Sequence, residues 1–130
     1  MARQHRVVDH IVEHLAGIGV DYLFGVDGAN IEDLYDAAHF CSGVTAILAK
    51  HEFSAATMAD GYARSRPGLG VVAATSGGGA LNLVPGLGES LASRVPVLAA
   101  GWLTCSWWSS SWLWWLSAPS RRRHRSRPPA

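Results

Sequence analysis

Hydrophobic positions along the first part of the chain follow first a helical period and then a strand-like one. Apolar side chains recur at helical spacing from residue 7 to residue 15, which predicts an amphipathic helix of about three turns. Gly17 and Gly19 supply a stop, and residues 21–26 form a short apolar run typical of a buried strand. Asn30 precedes a second helical pattern over residues 31–40. It is predicted to cap that helix, with Asp33 in the position of a capping-box acid.

The same alternation continues to residue 101. Further strands are predicted over residues 44–48, 70–75 and 95–100, and further helices over 52–64 and 80–93, although Pro85 weakens the prediction for the first turn of the last helix. The strands are about 25 residues apart with a helix in each gap. This spacing predicts right-handed βαβ units, and therefore an α/β fold with a parallel sheet and helices on both of its faces.

Composition and charge change abruptly after Gly101. Residues 1–101 carry six Lys/Arg against all ten Asp/Glu, a balance of −4, whereas residues 102–130 carry five arginines and no acid, a balance of +5. All six tryptophans lie between positions 102 and 115, interleaved with serines, and an Arg- and Pro-rich end follows. We therefore expect one partial domain over residues 1–101 and an irregular tail over residues 102–130.

Three interpretations of this tail compete. The tryptophans could lie in a membrane interface with the arginines on anionic lipid, or the arginines could bind nucleic acid with tryptophans stacked on bases. The third interpretation, which the abrupt change in composition favours, is an out-of-frame translation. In this interpretation the chain has no membrane or nucleic-acid partner. Residues 102–116 are too short and too polar for a bilayer span of about 20 apolar residues. With no apolar signal-peptide core near the start, the expected location is the cytoplasm.

Three loops are expected at the carboxyl edge of the predicted sheet, where parallel α/β sheets bind ligands. They are residues 25–28, 50–52 and 75–79. Each loop also has an ordinary structural explanation. An acid in the first turn of a helix, such as Glu52, complements the helix dipole. The glycine-rich loop matches no phosphate-binding motif. Neither the cysteines nor His10 and His14, which lack the HExxH order, predict a metal site.

The joint order of these loops resembles one family of enzymes. His51-Glu52 is followed by the run ADGYAR over residues 59–64 and then by Thr75-Ser-Gly77. In this spacing the chain, over about residues 4–101, resembles the flavodoxin-like pyrimidine-binding domain of thiamine-diphosphate-dependent enzymes. The resemblance is to the type that includes acetolactate synthase and benzoylformate decarboxylase.

The resemblance implies a cofactor site and a chemistry. Glu52 would be the catalytic glutamate, which hydrogen-bonds the aminopyrimidine of thiamine diphosphate and promotes the tautomer that deprotonates the thiazolium carbon. The pyrimidine half of the cofactor would be lined by this glutamate and by further residues of the three loops and the helix after them: Val26, Asp27, Thr75, Gly78 and Asn82.

The resemblance also implies what lies elsewhere. The family holds the diphosphate through magnesium on a separate domain, marked by Gly-Asp-Gly and paired asparagines, which this chain lacks. Its site forms between subunits of a homo-oligomer, and its substrate is a 2-oxo acid. The chain alone is therefore expected to be inactive.

Two departures from the family pattern and two alternatives remain. Asp27 and Gly78 stand where the family usually has proline, which leaves the substrate subclass open. One alternative is a two-chain decarboxylase whose partner supplies the magnesium domain. The other is a non-catalytic interaction protein that uses the Trp/Arg tail on membrane or nucleic acid.

Overall fold

The computed structural model describes residues 5–101, so the predicted tail lies outside the described residues. Helices and strands alternate throughout this part of the chain. In chain order they are α1 (Val7–Gly17), β1 (Tyr22–Val26), α2 (Glu32–Phe40), β2 (Thr45–Leu48), α3 (Glu52–Ser65), β3 (Gly70–Ala74), α4 (Gly78–Ala92) and β4 (Val97–Gly101). Each strand predicted from the sequence is present, with ends shifted by one or two residues.

The four strands form one parallel sheet in the order β2-β1-β3-β4. Leu23 of β1 pairs with Ala46 on one side and with Val71 on the other, so β1 and β3 are the central strands. Every residue of β3 is buried, as expected for a strand covered on both faces. The predicted fold class is confirmed, and the strand order is that of the flavodoxin-like doubly wound sheets.

Two apolar clusters occupy the two faces of the sheet, because successive side chains of a strand point in opposite directions. Leu23 and Val71 join the cluster that contains residues of α1 and α2. Phe24 and Val72, their neighbours in sequence, join the cluster that contains Ala55 and other small residues of α3. Helices therefore cover both faces, and α3 and α4 pack side by side on the second one.

The predicted cap of the second helix was wrong. The N-cap is Ile31, without a side-chain hydrogen bond to the helix, and α2 begins at Glu32. The Asn30 amide instead donates to the hydroxyl of Ser76, across the carboxyl edge of the sheet. Asp33, the predicted capping-box acid, accepts a hydrogen bond from Arg6 at 3.1 Å. Long-range polar contacts have replaced a local cap, and burial of Ile31 in the core fixes the start of the helix.

The fourth helix is longer than predicted. It begins at Gly78, after an N-cap at Gly77 with φ +73°, and Pro85 lies within it. Proline removes one helical hydrogen bond and disfavours an interior position. The loss is offset by packing, because one side of the helix, including Leu83 and Gly86, is buried against α3.

Candidate functional site

The loops after β1 and β3 meet at the carboxyl edge of the sheet. The chain leaves β1 toward β2 on one side while β3 lies on the other, which is the switch point where such sheets bind ligands. A Cβ placed on Gly28 would lie only 2.8 Å from the Thr75 Cβ, so the two loops approach as closely as a glycine permits. The hydrogen bond between Asn30 and Ser76 ties the same loops together.

Glu52 lies at this edge because of how α3 begins. His51 is the N-cap in extended conformation, and its Nδ1 accepts a hydrogen bond from the Phe53 N–H at 3.1 Å. Glu52 is then the first residue of the helix and is half-buried. The partial positive charge of the helix N-terminus favours a carboxylate at that position.

Residues of α4 close over the Glu52 carboxylate. The Asn82 side-chain amide donates to Glu52 Oε2 at 3.1 Å. A Cβ on Gly79 would lie 3.0 Å from Glu52 Oε1 and 2.9 Å from Thr75 Cγ2, so both side chains lie directly against this glycine. Three of the predicted site residues, Glu52, Thr75 and Asn82, are thus brought together around Gly79, a glycine of the predicted loop 75–79.

The other predicted site residues lie at the same edge but are less closely engaged. Val26 is the last residue of β1 and is half-buried. Asp27 is exposed, and its Oδ1 accepts a hydrogen bond from the Gly28 N–H at 2.8 Å, which stabilises its own turn. Gly78 is exposed, and a Cβ there would meet nothing within 4 Å. A side chain at position 78 would therefore meet no obstacle at its Cβ among the described residues.

Tyr35 is a buried polar residue that the sequence reasoning missed. Its hydroxyl has no hydrogen-bond partner within residues 5–101 and lies against Gly25, where a Cβ would come within 2.0 Å of it. Burial, and secondarily the negative charge of Asp27, raise the pKa of Tyr35 to about 12. The hydroxyl therefore stays protonated at neutral pH. In the sequence this tyrosine is one apolar position of a helical pattern, so nothing distinguished it from ordinary core.

The site combines close packing against backbone with one half-buried carboxylate. Gly28 and Gly79 let the Thr75 and Glu52 side chains lie directly against the backbone at the edge of the sheet. One oxygen of that carboxylate is held by Asn82, and a carboxyl group so oriented can share a proton with a ring nitrogen. Within residues 5–101, Glu52 does not belong to a group of side chains close enough together to hold a metal ion.

Fold and site together define a doubly wound α/β domain with a half-buried carboxylate, that of Glu52, at its switch point. The family described as "Thiamine pyrophosphate enzyme, N-terminal TPP binding domain" matches residues 5–110. The chain belongs to this family, as its motif order predicted. The matched range ends beyond the predicted domain boundary at residue 101.

Curated relatives point to one branch of the family. The chain is 43% identical over 88 residues to the acetolactate synthase large subunit of Haemophilus influenzae, and 42% identical over 88 residues to that of Lactococcus lactis. It is 44% identical over 89 residues to the acetolactate synthase isozyme 2 large subunit of Escherichia coli. Each match covers 68% of this chain but only 15% or 16% of the relative. The chain thus spans about one sixth of the length of these relatives.

Proposed function

We propose that this domain binds the aminopyrimidine ring of thiamine diphosphate and that Glu52 is the catalytic residue that exchanges a proton with it. The observation that carries the proposal is the contact of the Glu52 carboxylate with Asn82 at 3.1 Å, beside Gly79 at the switch point. The cofactor supplies the carbanion chemistry of the reaction when it is bound.

Each chain residue then has a limited task. Glu52 holds or gives up a proton at one carboxyl oxygen, and Asn82 orients the carboxyl group through the other. Thr75 and Gly28 form the floor between the two central strands. The remaining three predicted residues are proposed to line the pocket: Val26, Asp27 and Gly78.

We further propose that the domain works within a longer protein that converts a 2-oxo acid, in the manner of acetolactate synthase. The names of the relatives and the small share of their length that this chain spans support this. Magnesium and the diphosphate would be held by another domain, in a homo-oligomer, and the 130-residue chain would not turn over substrate alone. The proposal includes a cytoplasmic location, which cell fractionation tests. None of the helices within residues 5–101 is long and apolar enough to cross a bilayer.

Two-dimensional NMR of the chain, titrated with thiamine diphosphate, tests the cofactor site. We expect the shifted amide signals to cluster at Gly28, Thr75 and Gly79 and to lose this response in Glu52→Gln. The matched control is Glu32→Gln, which should keep the response, because Glu32 is likewise the first residue of its helix but is exposed and outside the proposed pocket. Shifts scattered over the surface, or an unchanged response in Glu52→Gln, would contradict the proposal.

A chimera tests the chemistry. The matching segment of the Haemophilus influenzae enzyme is replaced by that of this chain, and acetolactate formation is measured. Activity should vanish in Glu52→Gln while the fold, followed by circular dichroism, is retained. An active Glu52→Gln chimera would show that another carboxylate does the work.

The proposal treats residues 102–130 as an out-of-frame translation, supported by their abrupt change in composition. Sequencing the coding DNA around codons 98–104 and reading the other frames tests this. A frame that continues the domain would support the idea, and its absence would favour the interaction-protein alternative. That alternative predicts salt-sensitive binding to lipid or nucleic acid that disappears when residues 102–130 are deleted.

A further inference from the structure

We propose that the start of α1 carries a Zn²⁺ site formed by His5, His10 and Glu13. One ligating atom from each of these side chains lies within 4.8 Å of the other two. His5 Nε2 is 3.4 Å from Glu13 Oε2, and the two imidazole rings are 6.4 Å apart, centroid to centroid, at 72°. None of the three belongs to the candidate cofactor site.

Local structure explains why these residues meet. His10 and Glu13 are three positions apart on α1 and therefore lie on the same face of the helix. His5 comes from the segment just before the helix. The backbone N–H of the N-cap, Arg6, donates to Asp9 Oδ2 at 2.8 Å, which fixes the path of the chain into the helix. The sequence pattern alone could not show that His5 joins the pair.

The charges around the cluster favour a cation. Arg6 makes ion pairs with Asp9 at 2.9 Å, with Asp33 at 3.1 Å and with Asp36 at 2.7 Å. Glu13 adds a carboxylate within the cluster itself, with its Oε2 3.4 Å from His5 Nε2. Its negative charge opposes the unfavourable effect of the helix N-terminus on a positive ion.

The donor set and the space around it select the ion. Two imidazoles and one carboxylate are typical of Zn²⁺ sites with three protein ligands and one open position, whereas Mg²⁺ and Ca²⁺ prefer oxygen ligands. His5 and Glu13 line a cleft of about 380 Å³ between α1 and the end of α2, which leaves room for a water at the fourth position. All three side chains are exposed, so the ion can enter from solvent.

Binding would couple the segment before α1 to the helix. Because an ion bound only by the folded chain stabilises that state by mass action, the melting temperature should rise with Zn²⁺ concentration.

Isothermal titration of the full 130-residue chain with zinc chloride tests the site. We expect one saturable ion whose affinity drops by about tenfold or more in His10→Gln and in Glu13→Gln, as loss of a metal contact commonly causes. His14→Gln is the matched control, because His14 is an exposed histidine one turn further along α1 and outside the cluster. It should bind within about twofold of the original chain.

Other outcomes would overturn the proposal. They are the absence of saturable binding, unchanged affinity in His10→Gln, an equal loss in His14→Gln, or equal binding of magnesium chloride. Unchanged affinity in His10→Gln would show that zinc binds elsewhere on the chain. All three substitutions are on the surface, and circular dichroism checks that each variant is folded.

Discussion

Gly86 offers a sharp test of how α3 and α4 pack. It is buried in α4, and a Cβ placed on it would lie 2.6 Å from the Ala56 Cβ of α3. Gly88 is in the same helix, and a Cβ there would meet nothing within 4 Å. Replacing either residue by alanine adds the same methyl group to the same helix, so the pair separates packing from helix propensity.

The structure fixes the sign of each effect. Alanine is better than glycine inside a helix by up to about 1 kcal/mol, so Gly88→Ala should stabilise the chain by about that amount. At position 86 the methyl group must move about 1 Å away from Ala56 to reach an ordinary carbon–carbon contact. Overpacking of this kind costs about 1–3 kcal/mol. The two variants should therefore differ by about 1–3 kcal/mol in free energy of unfolding, with Gly86→Ala the less stable.

Urea and thermal unfolding followed by circular dichroism measure this difference in free energy of unfolding. For a domain of this size, each kcal/mol shifts the melting temperature by about 4–8 °C. A second-site control is Ala56→Gly, which removes the opposing methyl group. The double variant should be more stable than the sum of the single effects predicts. Equal stability of Gly86→Ala and Gly88→Ala, or strict additivity with Ala56→Gly, would refute the close contact.

Four further predictions concern three single polar groups. Tyr35→Phe removes a buried hydroxyl without a partner among residues 5–101 and should leave stability unchanged or raise it by about 1 kcal/mol in urea unfolding. Because the pKa of Tyr35 is raised to about 12, the unfolded chain loses this proton first above pH 10, and Tyr35→Phe should therefore reduce the loss of stability between pH 10 and 12. The hydrogen bond from Arg64 lowers the pKa of Asp60, so the ionised Asp60 carboxylate stabilises the folded chain above about pH 4. This stabilisation is lost in acid, and Asp60→Asn should therefore flatten the acid limb of the stability profile. His51→Ala should cost about 1 kcal/mol by leaving the Phe53 N–H without its cap.

The fold could be predicted because it follows from regular patterns. Apolar runs spaced by helical segments are enough to indicate a parallel sheet, and β3 is buried along its whole length as its sequence suggested. The errors occurred where tertiary contacts override local signals. Asn30 is a good helix cap by type, but its amide reaches Ser76 on another loop. Pro85 weakens the prediction for the first turn of α4, but the helix already begins at Gly78 and is held against α3.

The candidate site was predictable only in part. Order of motifs identified Glu52, Thr75 and Asn82, which the structure brings together around Gly79. Their distances, and the role of Gly79, depend on the angle between α3 and α4, which no local pattern encodes. The inward hydroxyl of Tyr35 was hidden for a related reason, since a helical period does not show whether a polar end finds a partner.

Packing and chemistry are coupled through the two helices of the second face. Glu52 is on α3, whereas Asn82, which holds its carboxylate at 3.1 Å, is on α4, and Gly86 sets the spacing of these helices one turn further along α4. A displacement of about 1 Å between the helices would stretch that hydrogen bond beyond its useful length of about 3.2 Å. Gly86→Ala should therefore weaken the response to thiamine diphosphate even at temperatures where the chain is fully folded, whereas Gly88→Ala should not. A glycine that touches neither the carboxylate nor its partner would thus be a positioning residue for the proposed proton exchange.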